Sequence, residues 1–247
     1  MQIHVITLFP ELFQALNYGI VGRAIQKKIL QLQFWNPRDF TEDPHRTVDD
    51  RPYGGGPGMV MKVAPLRDAI QAAKAQLGSA TKVIYLSPQG HQLKQADVVT
   101  LANHNSLILL LGRYEGIDQR LIDSQVDEIW SVGDYVVSGG EIPAMLLIDA
   151  MTRLLPDALN HEESPLCESF SQGLLEYPQY TRPVEIDGLV VPEVLRQGDH
   201  QAIARWRMKH SLKNTWQMRP DLLKIAALND EQKVLLQEII KELPRET

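Results

Sequence analysis

The sequence predicts an α/β domain built on a parallel sheet, followed by a smaller, mainly helical domain. Three observations carry this. Apolar runs without polar alternation, such as Lys82–Ser87 and Leu107–Leu111, alternate with helix-periodic segments, the pattern of strands covered by helices on both faces. After Pro156 the chain turns polar and weakly periodic through ALNHEESPLCESFSQG, which reads as an interdomain linker. Beyond it, His200–Met218, Pro220–Leu228 and Asp230–Leu243 all carry helical patterns. The expected boundaries are 1–160 for the α/β domain, 161–173 for the linker and 174–247 for the helical domain.

In order, Ile3–Phe9 reads as a strand, followed by a helix from Glu11 behind Pro10, a helical stretch around Arg23–Leu30, and a second strand ending at Phe34-Trp35. Residues 37–59, PRDFTEDPHRTVDDRPYGGGPGM, are so dense in Pro, Asp and Gly that they predict a long irregular loop. Such loops inside compact domains are usually functional or disordered. Pro65–Leu77 follows as a helix with Pro in its tolerant first turn. Lys82–Ser87 is a strand ending in a Pro88-Gln89-Gly90 turn, and Leu93–Asn103 a helix. Leu107–Leu111 is a strand, Gly116–Ser124 a short helix, Glu128–Val132 a strand and Gly140–Leu155 a long helix. In the second domain, EYPQYTRP and DGLVVPEVL read as turns and short extended pieces. Asn229 with Gln232 three residues on forms a capping box for the last helix, which Pro244 stops.

Composition narrows the function classes. At 247 residues and 44% hydrophobic content the chain can bury an ordinary core, so disorder is not the default. MQIHVITLFPELF lacks a basic leader region, and no segment approaches a membrane span, so a soluble cytoplasmic protein is expected. Cys167 is the single cysteine, which excludes an internal disulfide; the seven His are scattered without zinc-site spacing. A net charge of −6 argues against indiscriminate nucleic-acid binding. Yet between Arg196 and Lys224 seven basic residues stand against two acidic ones, an asymmetry that signals a polyanionic partner.

The densest chemistry lies in Leu109–Pro143, LLLGRYEGIDQRLIDSQVDEIWSVGDYVVSGGEIP. Here Gly112-Arg113-Tyr114-Glu115-Gly116 follows one apolar strand and a Gly/Ser-rich loop follows the next. Ligands of open α/β sheets bind at the carboxyl ends of strands, where backbone N–H groups and loop side chains converge. Such walls suit a ligand with a flat apolar portion and several hydrogen-bonding edges. The YGGGPGM of Tyr53–Met59 fits neither a P-loop nor a dinucleotide fingerprint; it reads as a surface loop or a hinged lid. Glu168 alone reads as a solvated carboxylate, and Arg153 as a complement to a helix dipole. Arg205, Lys209 and Lys213 recur every four residues, giving one basic helix face beside Trp206 and His210, either solvated or phosphate-tracking.

Six motifs together carry a family resemblance: RTVDDRPYGGGPGM (Arg46–Met59), YLSPQG (Tyr85–Gly90), GRYEGID (Gly112–Asp118), SVGDYVVSGGE (Ser131–Glu141), GLLEYPQYTRP (Gly173–Pro183) and RWRMKHSLKNTW (Arg205–Trp216). In this order, over nearly the whole chain, they resemble the bacterial tRNA (guanine-N1)-methyltransferases that modify guanosine 37, beside the anticodon. The resemblance implies a SPOUT-type parallel-sheet domain whose C-terminal part threads a trefoil knot. It implies that S-adenosyl-L-methionine is held by Tyr85, Leu86, Ser87, Pro88 and Gln89, by Gly112, Arg113, Tyr114 and Glu115, and by Ser131, Val132, Gly133, Asp134, Tyr135, Val136, Val137, Gly139, Gly140 and Pro143. It further implies a homodimer whose active sites are completed across the interface, tRNA held by the basic C-terminal helices through Arg205, Lys209 and Lys213, and dependence on Mg²⁺, with Glu115 a nearby carboxylate.

Guanine N1 carries a proton, so it becomes a strong nucleophile only as a base removes that proton while charge gathers on O6. The family base is an aspartate in a D-S-F motif; this chain has Glu168-Ser169-Phe170 there. One extra methylene moves the carboxylate by on the order of 1 Å, enough to cost about 100-fold in rate if uncorrected; a flexible linker is expected to absorb the shift. Arg153 matches the family arginine facing O6. Two rival readings remain at this point: a noncatalytic RNA-binding dimer that keeps the fold, and a dinucleotide-dependent oxidoreductase, which the missing GxGxxG turn disfavours.

Overall fold

A computed structural model describes residues 1–159 and 168–242. Cys167, residues 161–167 of the expected linker and Pro244 lie outside the described residues. The chain divides into two compact units, Met1–Glu162 and Glu163–Thr247.

In the first unit, strands β1 (Gln2–Ile6), β2 (Gln31–Trp35), β5 (Lys82–Gln92), β6 (Ser106–Leu111) and β7 (Glu128–Ser131) form one sheet in the order β2-β1-β6-β5-β7. Every pairing in it is parallel. Side chains alternate across a strand, so each strand feeds two cores. Ile3, Val5, Ile84, Leu86, Leu107, Leu109 and Leu111 pack on one face with helices α1 (Gly19–Gln26), α3 (Gln95–Ala102) and α5 (Glu141–Thr152). Ile6, Val83, Tyr85, Ile108 and Leu110 pack on the other with α2 (Val63–Leu77) and α4 (Gln119–Gln125). This burial on both faces is why the strands read as continuous apolar runs.

Three expectations shift. The helix expected from Glu11 is a 3-10 helix, Pro10–Asn17. The expected turn Pro88-Gln89-Gly90 belongs to β5, whose pairing with β7 changes register between Leu86 and His91. A Cβ on Gly90 would lie 2.5 Å from the Ile129 carbonyl carbon, so only glycine lets this irregular passage run against β7. The Pro/Gly-rich loop contains a 3-10 turn, Pro37–Phe40, and a two-residue ladder between β3 (Asp49–Asp50) and β4 (Val60–Met61).

The second unit packs helix His200–Met218 against the last helix, Asp230–Glu242, around Leu174, Leu212, Trp216, Leu235 and Ile239. Asp199 caps the first by accepting from the N–H groups of Gln201 and Ala202. Asn229 and Gln232 make the reciprocal capping bonds expected for the second, each 2.9 Å. The helical pattern after Pro220 stops early, at Leu223. A short hairpin pairs Glu185–Ile186 with Leu189–Val190.

Candidate functional site

The carboxyl ends of β5, β6 and β7 open into a cavity of about 310 Å³. All the residues expected at the methyl donor line it except Asp134, and Gly116, Trp130 and Ser138 join them. Ser138 belongs to the Ser131–Glu141 motif but is not singled out by it, and sequence spacing misses Trp130 because it sits in no glycine turn and enters through the last residues of β7.

Three loops meet here, and a buried ion pair ties them. Glu141, the first residue of α5, is 1% exposed. Its Oε2 accepts from Arg113 Nε at 2.9 Å and its Oε1 from the Thr7 hydroxyl at 2.9 Å. Arg113 also donates to the Ser138 carbonyl and lies 4.5 Å over the Phe9 ring. A buried carboxylate is tolerated only when so paired and hydrogen-bonded. The clamp therefore fixes the loops after β1, β6 and β7 against one another. The Gly140 N–H donates to the Gly112 carbonyl at 3.0 Å, closing the same seam.

Glycine is required at two places in these walls. A Cβ on Gly139 would stand 2.3 Å from Arg113 Nε, which the Glu141 carboxylate holds in place. A Cβ on Gly112 would stand 2.9 Å from the Tyr85 hydroxyl. Tyr85 is buried, and burial pushes its phenol above the ordinary range, so the hydroxyl stays protonated at neutral pH. Tyr114, with φ of 58°, takes a left-handed conformation that side chains rarely adopt, a form of backbone strain common at ligand sites.

The glycine-rich loop is stitched to this site at its far end. Glu115 N–H donates to the Met59 carbonyl, Met61 N–H to the Gly116 carbonyl, and Arg113 N–H to Met61 Sδ. A Cβ on Gly58 would collide with the Glu115 side chain at 2.3 Å. The near end differs: Tyr53 is 99% exposed, and nothing surrounds Gly54, Gly55 or Gly56. The loop is thus anchored beside Glu115 and open at its tip.

The cavity offers a flat ligand apolar walls at Leu86, Pro88, Val132, Val137 and Pro143, polar edges at Ser87, Gln89 and Glu115, and glycines where backbone must approach. Among the described residues, no group of three or more His, Cys, Asp or Glu converges to hold a metal ion.

Arg153 and Glu168 lie outside this cavity's lining. Arg153 is the C-terminal cap of α5, its N–H bonded to the Asp149 carbonyl. Glu168 begins a turn in the second unit: its carbonyl accepts from Ser171 N–H and Oγ. The Ser169 hydroxyl accepts from Glu176 N–H at 3.0 Å, and Phe170, left-handed at φ 74°, places its ring 5.9 Å from the Arg219 guanidinium. The chain just after Glu168 is therefore pinned rather than slack, so this turn does not supply the adjustment for its longer side chain.

The expected RNA-binding stripe is partly spent within the second unit. Arg205 pairs with Glu231 at 3.3 Å and Lys209 with Glu242 at 2.8 Å, both acids belonging to the last helix. Arg219 pairs with Asp221.

Comparison with known proteins agrees in one direction. The family model described as tRNA (Guanine-1)-methyltransferase TrmD matches residues 1–225. Among curated proteins, a tRNA (guanine-N(1)-)-methyltransferase of Pasteurella multocida is 59% identical over 243 residues, covering 98% of this chain and 99% of its own. One of Coxiella burnetii is 60% identical over 240 residues, covering 97% and 98%. One of Aeromonas hydrophila is 59% identical over 244 residues, covering 98% of each. With a glycine-walled cavity at the strand ends and this similarity over nearly its full length, the chain belongs to the tRNA (guanine-1)-methyltransferase family.

Proposed function

We propose that this protein transfers the methyl group of S-adenosyl-L-methionine to N1 of guanosine at position 37 of tRNA. The observation that carries the reading is the cavity of about 310 Å³ whose three walls are the motif loops Tyr85–Gln89, Gly112–Glu115 and Ser131–Gly140. Family membership supports methylation of tRNA guanine N1; position 37 rests on the motif resemblance. A trefoil knot threaded through these loops rests on the motif resemblance alone.

When bound, the donor supplies an electrophilic methyl carbon, whose bond to sulfur breaks as N1 attacks. The protein's own residues do the rest. Glu168 takes the N1 proton, and the Arg153 guanidinium faces the charge growing on O6, the two demands that a weakly nucleophilic amide nitrogen makes. Arg113, held by Glu141, keeps the cavity walls in register so that the methyl carbon and N1 meet at a fixed distance. Mg²⁺, which the motif resemblance implies, would be held near Glu115 together with oxygen groups of the substrate.

A homodimer completes this reading, with Glu168 of the partner subunit reaching the cavity. Apolar exposure on α5 and the loop before it supports such a contact: Ile142 is 60% exposed and Val136 86%, and Leu146 lies one turn from Ile142. Ile142→Arg should yield monomers by light scattering, without methyl transfer. No described helix is long and apolar enough to cross a membrane. The function itself is tested with an unmodified tRNA transcript carrying guanosine at positions 36 and 37: labelled methyl should appear as 1-methylguanosine, and NADH should not compete with S-adenosylmethionine. Tight tRNA binding without transfer would favour the noncatalytic dimer.

A further inference from the structure

The basic residues of the second unit do not form one positive surface. The acids that neutralise Arg205 and Lys209 come from the last helix, Asp230–Glu242. Arg207, two residues along, stands about 200° round the same helix and so points away from those acids. Its guanidinium lies 4.9 Å over the Tyr177 ring. There it joins Arg182 and Arg196 in lining a cavity of about 650 Å³ that lies wholly within this unit. None of these three arginines has an acidic partner among the described residues. The rest of the wall is aromatic: Tyr180 and Trp206 stand 6.2 Å apart, and Trp206 is stacked on His210 at 3.9 Å, which fixes its plane.

We infer that this cavity holds one unpaired nucleotide of the tRNA, its base against Tyr180 and Trp206 and its flanking phosphate against Arg182, Arg196 and Arg207. Free guanidiniums beside exposed aromatic faces are the combination that binds single-stranded nucleic acid, since every base has a face to stack and every link a phosphate to pair. A paired base already has its neighbours above and below and gains nothing in a concavity of this kind. An acidic peptide would use the arginines and leave the aromatic rings without a partner. The volume is within the range of sites for ligands of nucleotide size. The inference rests on the tRNA reading above and adds a grip distinct from the methyl-donor cavity.

The test uses the full-length protein and the same tRNA transcript, with binding followed by fluorescence anisotropy across a salt series. The triple variant Arg182→Ala/Arg196→Ala/Arg207→Ala should bind at least about 10-fold more weakly and lose about one from the slope of log K against log salt, as expected for one phosphate contact. Trp206→Leu should weaken binding several-fold with little change of slope, because stacking releases no counterions. Affinity for S-adenosylmethionine and Tm should stay at the unsubstituted values in both. Unchanged tRNA affinity and slope in the folded triple variant would overturn the inference. So would an equal loss in Arg205→Ala/Lys209→Ala, which would move the contact to the paired stripe. Methyl transfer by the unsubstituted protein is measured alongside. If it is absent while the triple variant still loses tRNA, the methyltransferase reading fails and the cavity stands; if transfer proceeds and the triple variant binds normally, only the cavity fails.

Discussion

The two cavities of this protein are built in opposite ways. The one at the strand ends, about 310 Å³, is walled by backbone and glycine and locked by a carboxylate that is 1% exposed. The one in the second unit, about 650 Å³, is walled by exposed arginines and aromatic rings with no buried ion pair behind it. A rigid, preorganised wall suits a small donor that must present one carbon at one distance. An open, cationic and aromatic wall suits a long polymer whose contact is distributed and salt-sensitive. On the proposed reading, the first unit's rigid cavity seats the methyl donor and the second unit's open cavity grips the tRNA, while the proposed base, Glu168, comes from the second unit.

The largest expected effect separates chemistry from both cavities. Glu168→Ala and Arg153→Ala should each slow single-turnover methylation at least about 100-fold while S-adenosylmethionine affinity stays nearly intact. Normal rates in either variant would remove that residue from the reaction. Glu168→Asp restores the family's shorter carboxylate with the same charge and should retain activity.

Breaking the clamp comes next. Glu141→Gln leaves Arg113 facing a neutral amide in a buried site, and should cost about 3 kcal/mol of stability. That corresponds to a Tm lowered by roughly 8 °C, together with weaker binding of S-adenosylmethionine and unaltered tRNA affinity. If tRNA affinity falls equally, the two cavities are not the separate devices described above.

Smaller is the effect of Arg205→Ala/Lys209→Ala, which removes ion pairs on an exposed surface, worth up to about 1 kcal/mol each. Tm should drop slightly, and tRNA affinity should change less than in the triple arginine variant.

Smallest is a pH effect at His4, which lines neither cavity. Burial holds the His4 imidazole below its usual 6.5, and its Nδ1 accepts from the Trp35 indole at 3.0 Å. As pH falls, the unfolded chain takes the proton first, so stability present above pH 6.5 is lost progressively below it. Tm should therefore decline on acidification more steeply in the unsubstituted protein than in His4→Gln; equal slopes would remove His4 from the account.

The contrast also explains what the sequence made legible. Gly112, Gly116, Gly139 and Gly140 stand at fixed offsets after apolar strands, so local rules place them at strand ends, and the first cavity's walls could be read in advance. The clamp could not, because Thr7, Arg113 and Glu141 come from three separate loops and meet only through sheet order. The second cavity was hidden for a related reason. Counting charges between Arg196 and Lys224 singled out the stripe Arg205, Lys209, Lys213, but the acids that neutralise its first two members lie at Glu231, Glu238 and Glu242, beyond that window. Charge along a chain becomes a surface only after helices have paired, and the pairing left Arg205 beside the last helix's acids and Arg207 clear of them.

The central claim is tested most directly by methylating, with labelled S-adenosylmethionine, a tRNA transcript bearing guanosine at positions 36 and 37 and mapping the product by digestion and mass spectrometry. The account predicts a single 1-methylguanosine, at position 37, with transfer lost when guanosine 37 is replaced. Label at another nucleotide or another atom of guanine, or tight tRNA binding with no label at all, would contradict it.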